Sequence, residues 1–312
     1  MKQIEYPYDG IDSVIDEVML SDHLNGFTQS GSNEVLSVLN NKGTPIKVVY
    51  HQLLSDKIKS QYANLDIRFS AEFQRRMNFK HFSKYTIHPK VNIKNFICSF
   101  NGSEHVSRKL LVSILEKFKY YDPEYCSKNF SYSTDIIDGH ITNYIPDQDI
   151  LYRKFFISAD SEDFFQTVNS FGHVQYDHTN NIYNLETKLT ESFLHIVSET
   201  LATSYCPFVT EKFMYSIVTR GLFLSYAQPD WHAHIEKYYG FKLYKKLFDY
   251  RFDSIQNPIE RLVELMTMIS KFSKLSYDEL YDIYLTELDT INYNYDHYFS
   301  GDYLTHLKQY DE

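Results

Sequence analysis

Glycine and proline are scarce in this 312-residue chain, at 10 and 8 residues, and there are three cysteines and one tryptophan. So little glycine and proline argues against collagenous or low-complexity sequence, and 43% hydrophobic with 23% charged residues excludes wholesale disorder. Cys98, Cys126 and Cys206 lie far apart with no CxxC pair, which opposes a disulfide framework and a cysteine-rich zinc site and suits a reducing, cytoplasmic setting. No apolar run reaches the roughly 18 residues of a membrane span, and acids at Glu5, Asp9, Asp12, Asp16 and Glu17 oppose a signal peptide. Gly-rich P-loop, GxGxxG and GxSxG patterns are missing, so NTPase, dinucleotide and α/β-hydrolase chemistry lack support.

What is abundant is aromatic: 28 Tyr and 23 Phe, with a net charge of -10. The aromatics fit either a stacking surface for sugars or bases, or a coding bias that also enriches Asn, Ile and Lys. The charge is uneven. Residues 68–94 carry Arg68, Arg75, Arg76, Lys80, Lys84, Lys90 and Lys94 against Glu72 alone, a net +6 that leaves -16 elsewhere. Phe73, Phe79, Phe82 and Tyr85 are interleaved with these cations, as in a surface that faces phosphates and stacks bases, or as in a solvated loop and helix with inward aromatics. From Lys274 onward nine acids face two lysines, a tail that repels polyanions.

Short β-branched or aromatic runs predict strands at residues 13–20, 45–50, 95–100, 193–198 and 222–226. Helical patterns follow several of them, at residues 106–118, 211–220 and 231–239, the last stopping at Gly240. This is the alternation of a parallel sheet. Asn257-Pro258-Ile259-Glu260 reads as a cap with Pro at the first helical position, and Ser276-Tyr277-Asp278-Glu279 as a capping box. The polar stretch 178–190 is the one candidate boundary. The expectation is α/β: two domains, 1–185 and 186–312, closed by C-terminal helices.

In open α/β sheets, ligands sit beyond the carboxyl ends of the strands. The predicted strand 193–198 ends at Glu199-Thr200, and Thr210-Glu211-Lys212 then opens a helix. Thr210 would cap that helix, Lys212 in its first turn would neutralise a diphosphate, and Glu199 and Glu211 would accept from ribose or sugar hydroxyls. The plainer alternative is that Glu211 complements the helix dipole while Lys212 points into water. His232-x-His234 holds a metal only on a strand, and the predicted helix splays the pair, so no metal is expected. Asp147-Gln148-Asp149 follows Pro146 and reads as a turn.

An ordered series runs through the last third: Glu199-Thr200, Thr210-Glu211-Lys212, Leu222–Leu224, Gly240-Phe241, the Asp-rich loop from Asp249 to Asp253, Arg261, residues 275–280 and residues 294–299. In this order the segment 192–299 resembles the C-terminal half of fucosyltransferase-like glycosyltransferases of bacterial and phage type. Residues 95–115, with Phe96-Ile97-Cys98, Asn101, His105 and Arg108, resemble that family's amino-proximal part. Ser216 and Leu222 stand where the family usually has prolines, and the Asp-rich loop reads Asp-Tyr-Arg-Phe-Asp.

The resemblance implies a GT-B-like architecture of two Rossmann-like domains around a cleft. Residues 1–185 would form the acceptor side, and 186–312 would bind a nucleotide-sugar co-substrate through Glu199, Thr210, Glu211, Lys212 and Arg108. It implies transfer to an acceptor hydroxyl without a metal, the acceptor being a surface glycan or, through residues 68–94, a hydroxylated DNA base as in phage DNA modification. Inverting transfer needs a carboxylate or histidine at the acceptor hydroxyl, for which Glu104, His105 and Asp135 are the candidates. The alternative is a non-catalytic sugar- or nucleotide-binding protein on the same scaffold.

Overall fold

Val, Ile and Leu recur in four short runs near the start of the chain, and they build the first of two parallel sheets. The computed structural model describes residues 2–5, 10–14, 16–21, 31–50, 54, 56–70, 89–101, 106–128, 178–199, 202, 207, 209–210 and 212–310. Strands β1 (Lys2–Glu5), β2 (Glu17–Ser21), β3 (Ile46–Tyr50) and β4 (Leu65–Phe69) pair in parallel in that order. Helices α1 (Gly31–Asn40) and α2 (Asp56–Lys59) lie in the connections. Val18, Leu20, Ile46 and Val48 of the strands and Leu36 and Leu39 of α1 form a buried cluster, while β4 alternates buried Ile67 and Phe69 with more exposed neighbours. The strand expected from residue 13 begins at Glu17, because Ile11–Ser13 form a 3-10 turn instead.

The second sheet contains β5 (Asn95–Asn101), β6 (Cys126–Lys128), β7 (Ser192–Ser198) and β8 (Leu222–Tyr226), all parallel, in the order β6-β5-β7-β8. Helix α3 (Val106–Lys117) joins β5 to β6, α4 (His178–Glu191) leads into β7, and α5 (Lys212–Val218) joins β7 to β8. Two expectations shift here. The candidate boundary at 178–190 is α4, a helix whose Leu185 and Leu189 are buried. A division after residue 185 also falls between β6 and β7, strands of one sheet, because β5 pairs directly with β7. The chain runs from β5 outward to β6 and then returns past β5 to β7. That reversal makes the β5–β7 edge a topological switch point.

Helices close the chain. Helix α6 (Trp231–His234) widens into a π turn over Ile235–Tyr239 and stops at Gly240, whose φ is 74°. A Cβ at Gly240 would lie 2.9 Å from His297 Nε2, so both the backbone and the space require glycine. Asn257 caps α7 (Pro258–Ile269), its Oδ1 accepting from the N–H groups of Ile259 and Glu260 at 2.9 and 3.3 Å. Ser276 and Glu279 form the expected capping box of α8 (Tyr277–Thr286), followed by α9 (Leu288–Ser300) and α10 (Asp302–Lys308). Part of the aromatic excess becomes core. Phe213 meets Phe223, Trp231 and Phe241 with ring centroids 5.4–5.5 Å apart, the last two edge to face. Among the described residues no helix is long and apolar enough to cross a membrane.

Candidate functional site

The carboxyl ends of β5, β7 and β8 bring polar side chains to the switch point. Asn101 ends β5 and Ser198 ends β7, and the β5–β7 pairing of Ile97 with Leu194 puts both on the same face, since side chains alternate along a strand. Both are buried. Asn101 Nδ2 donates to Ser99 Oγ at 3.1 Å and to the Ser127 carbonyl at 3.3 Å, while among the described residues Asn101 Oδ1 and Ser198 Oγ have no hydrogen-bond partner. Buried polar atoms are seldom left so. Two such atoms on neighbouring strand ends mark a place suited to a polar ligand or water.

Glu199 follows Ser198 on the opposite face and is fully buried. Its carboxylate accepts from the Thr210 N–H at 3.2 Å and from Thr210 Oγ1 at 2.6 Å. Thr210 Oγ1 accepts in turn from the Lys212 N–H at 3.4 Å and from Lys212 Nζ at 3.0 Å. Glu199 N–H donates to the Tyr226 carbonyl at 3.1 Å, which anchors the chain to the neighbouring strand. A buried carboxylate needs donors, and Thr210 supplies two. Hence Glu199 already serves Thr210, where the sequence pointed to ribose or sugar hydroxyls. Thr210 stands two residues before Lys212, the first residue of α5, and its Oγ1 meets that first N–H rather than one deeper in the helix. One hydroxyl thus links a buried carboxylate to a half-buried ammonium at the carboxyl edge of the sheet.

Arg108 lies in the first turn of α3, after β5, and is buried; α3 and α5 follow the two strands that flank the switch point. Glu104, His105, Asp135 and Glu211, together with Asp147 and Asp149, lie outside the described residues, as do Arg75, Arg76, Lys80, Lys84 and the aromatics interleaved with them. The described cations of the basic segment have internal partners. Arg68 pairs with Asp66 at 2.8 Å, Lys94 pairs with Glu191, and buried Lys90 donates to the Leu189 and Ser192 carbonyls. Burial lowers the Lys90 pKa to about 8.

Two buried polar centres beside this edge escaped the sequence reading. His232 Nδ1 donates to Asp253 Oδ1 at 2.6 Å and its Nε2 accepts from the Ser225 N–H at 3.0 Å, a pattern that fixes the tautomer and occupies both ring nitrogens. Burial raises the Asp253 pKa, but the His232 ring and the N–H groups of His232 and Ala233 outweigh it and hold the carboxyl below its usual range. The His232-x-His234 pair is therefore structural: His234 packs against the Tyr238 and Tyr239 rings instead. Among the described residues no group of three or more potential metal ligands exists.

Arg261 is the second centre. Its buried guanidinium donates to the carbonyls of Ala227 (3.0 Å), Ala202 (2.5 Å), Gln256 (3.2 Å) and Ile255. Ala202 belongs to the connection between β7 and α5, so Arg261 holds the segment that carries Glu199 and Thr210 against the ends of β8 and of the Asp-rich loop. The signals available in the sequence were the position of Arg261 early in a capped helix and an Asp at the end of the preceding loop. No family model matches this chain, and neither does any curated protein or solved structure.

Proposed function

We propose that this chain is a glycosyltransferase that takes a sugar from a nucleotide-sugar donor to an acceptor hydroxyl, with a GT-B-like pair of Rossmann-like domains around the site. The observation that carries the reading is the Glu199–Thr210–Lys212 chain of hydrogen bonds at the switch point of a parallel sheet. A diphosphate set there gains a cation already held in place by Thr210 and a donor in the Ser198 hydroxyl, while Asn101 Oδ1 is an acceptor suited to a hydroxyl of the ligand.

In the proposed reaction the acceptor oxygen forms a bond to the anomeric carbon as the bond from that carbon to the diphosphate breaks. The acceptor proton passes to a base, for which Glu104, His105 and Asp135 remain the candidates. The nucleoside diphosphate leaves with its negative charge opposed by Lys212, and Arg108 is proposed as a second cation there. Glu199 acts by positioning Thr210, and Arg261 by holding the connection at Ala202. The acceptor is a surface glycan or a hydroxylated DNA base.

A thermal-shift screen of the purified chain against nucleotide sugars tests the premise, since a ligand that binds only the folded state raises its stability. At least one donor is expected to stabilise the chain, and Lys212→Ala should weaken that donor roughly tenfold or more, as for the loss of a hydrogen bond to a charged group. A wild-type response to no donor sinks the proposal, and an unchanged Lys212→Ala affinity sinks the site. Donor binding without release of nucleoside diphosphate across acceptors would identify the non-catalytic alternative.

A further inference from the structure

Away from the switch point, an open groove of about 630 Å³ runs between Lys245–Arg251 and Lys271. Its lining holds four cations (Lys245, Lys246, Arg251, Lys271) against one carboxylate (Asp249), over an apolar floor of Leu247, Phe248 and Tyr250. The groove lies directly beside α8. Lys246 Nζ donates to the Thr286 carbonyl at 3.0 Å, and its N–H donates to Glu287 Oε1 at 3.0 Å, both at the C-terminal end of that helix. Lys271 Nζ donates to the Leu247 carbonyl at 3.1 Å, and one 3-10 turn separates Lys271 from the cap of α8.

Helix α8 has the opposite character. It carries Asp278, Glu279 and Asp282 and no cation; Glu279 closes the capping box, while Asp278 and Asp282 are exposed. Tyr277 and Leu285 lie two turns apart on one face, at 49% and 40% exposure, with half-buried Tyr281 between them. Val91, at 81% exposure, is brought to the same helix by its neighbour Lys90, whose N–H donates to Tyr284 Oη at 3.3 Å. Three of the four exposed large apolar side chains among the described residues therefore gather on or beside α8.

We infer that this face pairs with a second copy of the same chain, each α8 lying in the basic groove of its partner about a two-fold axis. The two halves of this surface are complementary. With Lys245 paired to Glu236, a net +2 groove and a net -3 helix lie side by side, so a two-fold rotation sets each against its opposite, the requirement for an isologous contact. Exposed Tyr and Leu between charged borders match the apolar centre and polar rim of an interface. A polyanion would meet Asp278 and Asp282 beside the groove, and a neutral partner would desolvate Lys246 and Lys271, whose ammonium groups meet carbonyls, without supplying an opposite charge.

The test is sedimentation velocity of the full chain at about 50 mM and about 1 M salt, where screening lengths differ several-fold. Wild type should be dimeric at low salt and shift toward monomer at high salt. Lys246→Glu/Lys271→Glu and Asp278→Lys/Asp282→Lys should each raise the dimer Kd roughly tenfold or more, because each sets like charges together. Mixed in equal amounts, the two variants should recover a dimer, since every reversed groove then faces a reversed helix. A monomeric wild type at low salt, a dimer indifferent to either reversal, or a mixture that stays monomeric would each overturn the inference.

Discussion

Lowering the pH from 7 to 5 should remove several kcal/mol of stability through two buried histidines. His195 sits under α5 with Nδ1 2.5 Å from Ser216 Oγ and the Phe100 ring centroid 5.3 Å away. Burial, with a smaller push from the Lys90 charge, lowers its pKa from 6.5 to about 3. For His234, burial and then Lys237 act the same way against a weaker pull from Asp253, again to about 3. The unfolded chain takes up these protons near 6.5 and the folded one only near 3. Stability from both rings is therefore complete above the unfolded value and drains away as pH falls through that window. At pH 5, about 1.5 pH units below the unfolded value, a cost of about 1.4 kcal/mol per unit gives ~2 kcal/mol for each ring. Together they take ~4 kcal/mol from a total that is typically about 5–15. Urea denaturation of wild type and His195→Asn at both pH values measures this. Asparagine keeps a partner for Ser216 but cannot titrate, so the variant should lose ~2 kcal/mol less than wild type between pH 7 and 5, whatever its own stability. Equal losses in the two proteins, or a wild type more stable at pH 5, would show that His195 does not titrate out of its buried site on unfolding.

Two further substitutions probe the packing around the candidate site. Arg261→Met keeps the bulk of the side chain but removes donors to four backbone carbonyls; with each buried acceptor left unmet costing about 1–3 kcal/mol, a loss of at least ~3 kcal/mol is expected in chemical denaturation. A loss below ~1 kcal/mol would mean that those carbonyls have other partners. Gly240→Ala should cost about 1–2 kcal/mol for the positive φ alone, and more if His297 must swing away from the Tyr239 carbonyl that it meets at 2.7 Å. Differential scanning calorimetry would register this, and an unchanged midpoint would show that the turn tolerates a side chain.

Local signals were legible and distant ones were not. Asn257 and Ser276 announce their helices because capping is a matter of residues three apart, and both caps form as the sequence indicates. The apolar runs of β3, β5, β7 and β8 are legible because strands buried on both faces must be apolar throughout. Helix α4 was hidden because its Asn and Thr residues outweigh the two leucines it buries. Strand order was hidden for a deeper reason: no local rule in β5 says that its neighbour lies beyond β6. At the candidate site, Thr210 and Lys212 were recognisable as a helix start. That Glu199 would spend its carboxylate on Thr210 depends on a tertiary approach across 11 residues. The His232–Asp253 bond and the Arg261 clamp are likewise products of packing, and in the sequence His232 reads only as one of two diverging helix histidines, Asp253 as part of an acidic loop and Arg261 as a motif marker.

The strand order also sets a timetable for synthesis. Each strand of the first sheet pairs with one that closely precedes or follows it in the chain, so that sheet can close as it leaves the ribosome. The central pair of the second sheet joins Asn95 to Ser192, 97 positions later. At about 5–20 residues per second, β5 emerges ~5–20 s before its partner exists. During that interval β5 lacks its β7 partner, and an apolar strand with an open edge is the kind of surface that promotes aggregation of a nascent chain.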